Sequence, residues 1–223
     1  MTQNQIKAEN GSSYFIQEHS LMIRIWHWLT FILITSTMIT VLLNSTLMNP
    51  RKNVGMVQEQ LKSRGLTATE EQAFAVSHEY EDMIWGVHKW IGYGIAFLLL
   101  SRVVIELVQP KEEKLKNRFR KALGLYKSGD GNKTEYRHYL STKLSYFLFY
   151  FLLLWMALSG LGLAFGRELG IPRGLHGTIK ELHSIGQYFM YAFVLIHLGG
   201  VIIGENRNIK GIVSGMINGN KRN

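Results

Sequence analysis

The sequence predicts an all-α membrane protein: a four-transmembrane-helix bundle with both termini cytoplasmic. Three observations lead there. Hydrophobic residues make up 47% of the 223-residue chain, and most are gathered into four runs of 18 to 24 residues with the charges between them. Each run reaches the ~20 residues that a helix needs to cross about 30 Å of hydrocarbon. None alternates strictly between apolar and polar, which argues against a β-barrel. Finally, the basic residues behind the net charge of +9 are spread unevenly over the connections, and this orients the bundle.

Span one is WHWLTFILITSTMITVLL, residues 26–43. Its apolar core is too long for a cleaved signal peptide, and no small-residue cleavage site follows. Span two, 85–108, also opens on a tryptophan, the residue that anchors helices at the membrane interface. Span three covers 144–165 and span four 182–203. Between spans one and two lies an acidic connection (49–84), helix-compatible in TATEEQAFAVSHEYEDMIW. A basic loop, 109–140, follows span two and contains a turn-like patch at 127–134. The two termini and the basic loop together hold fifteen Lys and Arg, against seven in the other two loops. Positive-inside bias then puts the termini and the basic loop in the cytoplasm, with 49–84 and 166–181 outside. Residues 1–223 read as a single membrane domain without repeats.

Composition limits the chemistry. Segregated apolar spans exclude a soluble globular enzyme as the default reading, and 12% aromatic residues exclude disorder. There is no Cys, so disulfides, thiolate metal sites, iron–sulfur clusters and covalently attached c-type haem are absent. Metal chemistry must use His, Met or carboxylates.

Histidine placement carries the functional reading. Ionisable side chains inside a span are costly and default to functional candidates facing the bundle interior. On the expected topology His27 and His197 lie at the inner depth, His88 and His183 at the outer. His183 and His197 are 14 residues apart, about 40° short of four full turns and roughly 21 Å along the axis, so they share a face. A b-type haem takes two axial imidazoles from opposite sides and needs no covalent link. Two stacked sites of this kind would form an electron path through the bilayer. The plainer account of each histidine is a hydrogen-bonded residue that tightens helix contacts. His176, seven residues before His183, competes with it as the outer ligand. His19 and His78 lie in polar flanks and read as solvated. His138 reads as a solvated loop residue or a proton donor to a reducible ligand.

Two arginines and several glycines extend the pattern. Arg102 follows His88 by 14 residues on the same face and suits a haem propionate. It equally suits an i,i+4 pair with Glu106 or snorkelling to the interface. Arg24 precedes His27 by three residues and suits the same job or an ordinary basic flank. Gly92, Gly94, Gly186, Gly199 and Gly200 would give a porphyrin space or let helices pack closely.

The RIWHW segment (Arg24 to Trp28), the His-x13-Arg of span two and the two histidines of span four resemble the bacterial cytochrome b561 and nickel–iron hydrogenase b-type cytochrome superfamily. The tail is similar to the hydrogenase cytochrome subunits: Ser214, Met216, Ile217 and Gly219 match a Ser-x-Met-Ile-x-Gly stretch, while Asn220 stands where an aromatic usually follows. The resemblance implies a bundle holding haem b, two or one, with His27, His88, His183 and His197 as axial ligands. It further implies a multi-pass protein of the bacterial inner membrane. Its partner would be a periplasmic oxidoreductase, with a hydrogenase small subunit as the first choice, and quinone would be the electron acceptor. No nucleic acid partner is expected. Hydrogen splitting by nickel and iron needs thiolates, so no catalytic residue is expected here and the chain reads as an electron-transfer subunit. Alternatives are the cytochrome subunit of another periplasmic dehydrogenase, or a self-sufficient cytochrome b561-type reductase of superoxide or ferric iron. A third class is a haem-free scaffold or transporter. The 49–84 connection reads as a docking surface or as an interfacial helix covering the bundle, and span three, without histidine, as a packing helix.

Overall fold

A computed structural model describes residues 20–108, 114–128, 133–207 and 212–219. His19 and residues 129–132 of the turn-like patch lie outside the described residues, as does the side chain of His138.

Helix α1 (Leu21–Thr46) starts where the Ser20 hydroxyl accepts a hydrogen bond from the Ile23 amide. Three residues later α2 (Pro50–Lys62) opens with Asn49 as its cap and Pro50 in the first turn, where no amide is needed. The chain reverses at Gly65, whose φ of 77° favours a residue without Cβ. Thr69 and Gln72 then exchange side-chain and backbone hydrogen bonds at 3.0 and 3.2 Å, a reciprocal cap that starts α3 (Glu70–Val108). At 39 residues α3 is about 58 Å long, far more than a bilayer requires. Its early turns form an extension along which α2 packs, with Ala73 and Ser77 buried there. The 49–84 connection is therefore a helical hairpin continuous with span two.

Helix α4 (Leu115–Ser128) lies in the basic loop and packs on α5 (Lys133–Ala164). Helix α6 (Arg173–Arg207) begins nine residues before the apolar run of span four, directly after Pro172. Short α7 (Ile212–Asn218) follows. Among the described residues there is no strand, and four helices are long and apolar enough to cross a membrane.

The spanning helices pack in a chain: α1 on α3, α3 on α5, α5 on α6. Trp26, Ile34, Ile95, Leu98, Leu152, Leu153 and Met190 form the interior cluster, and the Trp26 indole N–H donates to the Leu98 carbonyl at 2.9 Å. On the outside Phe97, Leu100, Leu195 and Ile196 are 62–75% exposed. A soluble protein would bury such a surface; lipid is its natural solvent. Among the described residues, α6 makes no extended contact with α1 or α3. A cleft is left between them.

Candidate functional site

Four histidines bridge that cleft. At the end where α1 begins (the near end), His27 of α1 faces His197 of α6, with ring centroids 6.4 Å apart. At the far end His88 of α3 faces His183 of α6, again at 6.4 Å. The pairing expected from depth is the pairing observed. It follows from helix direction: α1 and α6 run oppositely, so an early residue of one meets a late residue of the other. His176 is exposed at the start of α6, beside Gly166, while the His183 ring stands opposite His88. His78 pairs with Asp82 at 3.1 Å on the exposed part of α3.

Each ring has its own support. Thr40 of α1 and the His88 Nδ1 are 2.8 Å apart. Ser159 of α5 and the His183 Nδ1 are also 2.8 Å apart. Span three, itself without histidine, thus reaches an imidazole directly. Near the other end, Phe193 stacks on His197 at 6.1 Å and 5°, and Trp28 meets His27 edge-on at 5.4 Å. In sequence span three reads as a packing helix, and nothing there assigns a role to Thr40, Tyr150 or Phe193. The signals in the sequence are hydroxyl residues inside apolar spans, as in TSTMIT, and the i,i+4 spacing of Phe193 and His197.

The arginines are engaged with protein. Arg102 donates through Nε to the Tyr150 hydroxyl at 2.9 Å and pairs through Nη2 with Glu106 at 3.1 Å. Its Nη1 is buried with no hydrogen-bond partner among the described residues. Arg24 donates through Nη1 to the Ile217 carbonyl at 2.7 Å, and its Nε is buried without a hydrogen-bond partner there. The glycines divide into two groups. Gly186 and Gly94 sit at helix contacts: a Cβ on Gly186 would lie 2.7 Å from the Met156 sulfur, and one on Gly94 3.2 Å from Leu33. Gly92, Gly199 and Gly200 have open space around them.

What could such a site hold? Among the described residues no three metal-binding side chains converge, so each site offers a metal two protein ligands only. A metal with its equatorial positions already filled suits that arrangement. A metal bound at about 2 Å to one nitrogen of each ring sets the ring centres a little over 6 Å apart, as both pairs are. His197 is exposed and the other three rings are half-buried, at depths where bare polar groups are costly. A flat apolar group in the cleft would cover them. The buried, unpartnered N–H groups of Arg102 and Arg24 suit carboxylates.

A family model described as prokaryotic cytochrome b561 matches residues 18–219. No curated protein and no solved structure matches the chain.

Proposed function

The chain belongs to the prokaryotic cytochrome b561 family, hence is a b-type cytochrome of the membrane that binds haem b and transfers electrons, and on that premise we propose that it carries two haems b and links a periplasmic dehydrogenase to quinone. Haem b supplies a one-electron carrier whose iron cycles between two oxidation states. His27 with His197, and His88 with His183, would hold it. The observation that carries this reading is the equal 6.4 Å separation of the two ring pairs.

The remaining residues act around those ligands. Arg102 and Arg24 would turn their free N–H groups to propionates while staying tied to Tyr150, Glu106 and the Ile217 carbonyl. With the basic near end in the cytoplasm of the bacterial inner membrane, His88 and His183 would hold the haem on the side where electrons enter, and His27 and His197 the haem on the side where they leave. A shallow, open groove beside Trp28, lined by Arg24, Ile25 and Leu29 of α1 with Met216 and Ile217 of α7, lies at the near end. It suits a quinone ring and tail.

The outer partner would be a hydrogenase small subunit. The tail match supports this, as does the hairpin of α2 and the α3 extension, which stands beyond the far-end pair. Hydrogen activation itself would belong to that partner.

A pyridine haemochrome titration of the purified chain tests the central claim. Two haems per chain are expected, with His27→Ala and His197→Ala each losing one component and His88→Ala and His183→Ala each losing the other. A haem-free wild-type chain would sink the assignment. Reduction of the haems by hydrogen in the presence of hydrogenase tests the partner; unaided superoxide or ferric reduction would favour the self-sufficient reductase.

A further inference from the structure

The far-end histidines are each held by a hydroxyl from a neighbouring helix, and the hydrogen-bond pattern favours one tautomer of each ring. A hydroxyl has one hydrogen to give. Thr40 gives its hydrogen to the Thr37 carbonyl at 2.7 Å. Ser159 gives its own to the Trp155 carbonyl at 2.7 Å, with the Met156 carbonyl at 3.3 Å as a weaker second acceptor. Toward the imidazoles, both oxygens are left to accept. This arrangement favours donation from Nδ1–H of His88 and His183, with Nε2 as the lone-pair nitrogen on both rings.

Three features make these contacts more than incidental. Thr40 is 5% exposed, so water does not compete for its oxygen. Each hydroxyl comes from the helix packed against the one carrying its histidine: α1 against α3, and α5 against α6. Next to Ser159, Gly160 lets the ring approach, since a Cβ there would stand 3.3 Å from His183 Cε1. The same arrangement thus occurs twice at one end of the bundle, built from unrelated local sequence.

We propose that Thr40 and Ser159 are positioning residues that fix the tautomer of His88 and His183 and lower the electron affinity of the group those histidines hold. The inference rests on the ligand assignment above. Donation from Nδ1–H to an oxygen makes the opposite nitrogen more basic, and a more basic ligand favours the oxidised metal. It also holds the ring at one orientation about the metal–nitrogen axis. Neither residue touches the cofactor's reacting atoms.

The test is an optical redox titration of the haem-loaded full chain with low-spin electron paramagnetic resonance, on wild type, Thr40→Val, Thr40→Ser, Ser159→Ala and His183→Ala. His183→Ala first identifies the far-end component as the one that disappears. Thr40→Val and Ser159→Ala should then shift that component alone to a higher midpoint and change its resonance position, while Thr40→Ser keeps the wild-type values. Should Thr40→Val lose the component outright, its return in Thr40→Ser supports the proposal. Loss in both, or equal shifts in both, overturns it in favour of a packing role, as do unchanged midpoints and spectra in Thr40→Val and Ser159→Ala. If His183→Ala removes no component, the ligand assignment itself falls and takes this inference with it.

Discussion

Arg24, at the start of α1, donates a 2.7 Å hydrogen bond to the backbone carbonyl of Ile217, 193 residues further along the chain. One turn on, the Trp28 indole donates to the Met216 carbonyl at 3.1 Å. At the other end of the same short helix, Glu205 accepts from the Val213 amide at 3.2 Å. The two most specific sequence motifs, RIWHW and the tail, are thus a single structural unit. The last carbonyls of α7 have no partner within their own helix, and α1 supplies donors to two of them.

Arg24→Ala should free α7 from α1. Hydrogen bonds from charged groups contribute about 1.5 to 3 kcal/mol, less where exposed, so the tail should be cut faster by trypsin in detergent. Haem content of the same variant separates Arg24's two roles: retained haem leaves it as a clasp, and lost haem assigns it to a propionate. An unaltered digestion rate would show that the clasp does not hold the tail.

Tyr150→Phe removes the hydroxyl that accepts from Arg102 Nε. Arg102 is 12% exposed by its side chain and Glu106 30%, so water cannot fully replace the bond. A loss of about 1 to 3 kcal/mol is expected, seen as a melting temperature several degrees lower. A melting curve that overlays wild type would mean the ion pair alone satisfies Arg102.

Gly186→Ala places a methyl group 2.7 Å from the Met156 sulfur at the α5–α6 contact. Met156 is flexible and can yield, but overpacking of this kind costs about 1 to 3 kcal/mol. Gly177, on the same helix, has nothing within 4 Å of a Cβ, and its replacement by Ala should stabilise by up to about 1 kcal/mol. Thermal unfolding of the two variants side by side decides; equal shifts would refute the close contact.

Replacing residues 58–75 with a short flexible linker removes the end of α2 and the cap of α3 while sparing all four histidines. Haem content should stay at the wild-type level and electron delivery from the partner should fall at least tenfold. Loss of haem would instead make the hairpin part of the bundle's structure. The Asn44 side chain, which donates to the Glu81 carbonyl at 3.5 Å, already ties α1 to the extension.

The sequence alone determined the spans, because apolar length is a local property and a bilayer reads it directly. It also determined the end of the bundle at which each histidine sits, since four runs in alternating directions leave no freedom there. Helix ends were less legible. The early start of α6 and the extension of α3 are set by caps, a proline and packing against α2, none of which periodicity reports. Only the tertiary structure decided what surrounds each ring. Phe193 is the exception, stacking on His197 from four residues earlier in the same helix. Thr40, Ser159 and Tyr150, by contrast, look in sequence like ordinary members of their spans, and their roles appear only when a neighbouring helix brings them within 3 Å of a partner. The same holds for Gly186 and Gly199, identical in sequence and opposite in setting. One meets a methionine and the other faces open space, because helix packing is a relation between distant segments that no single run encodes.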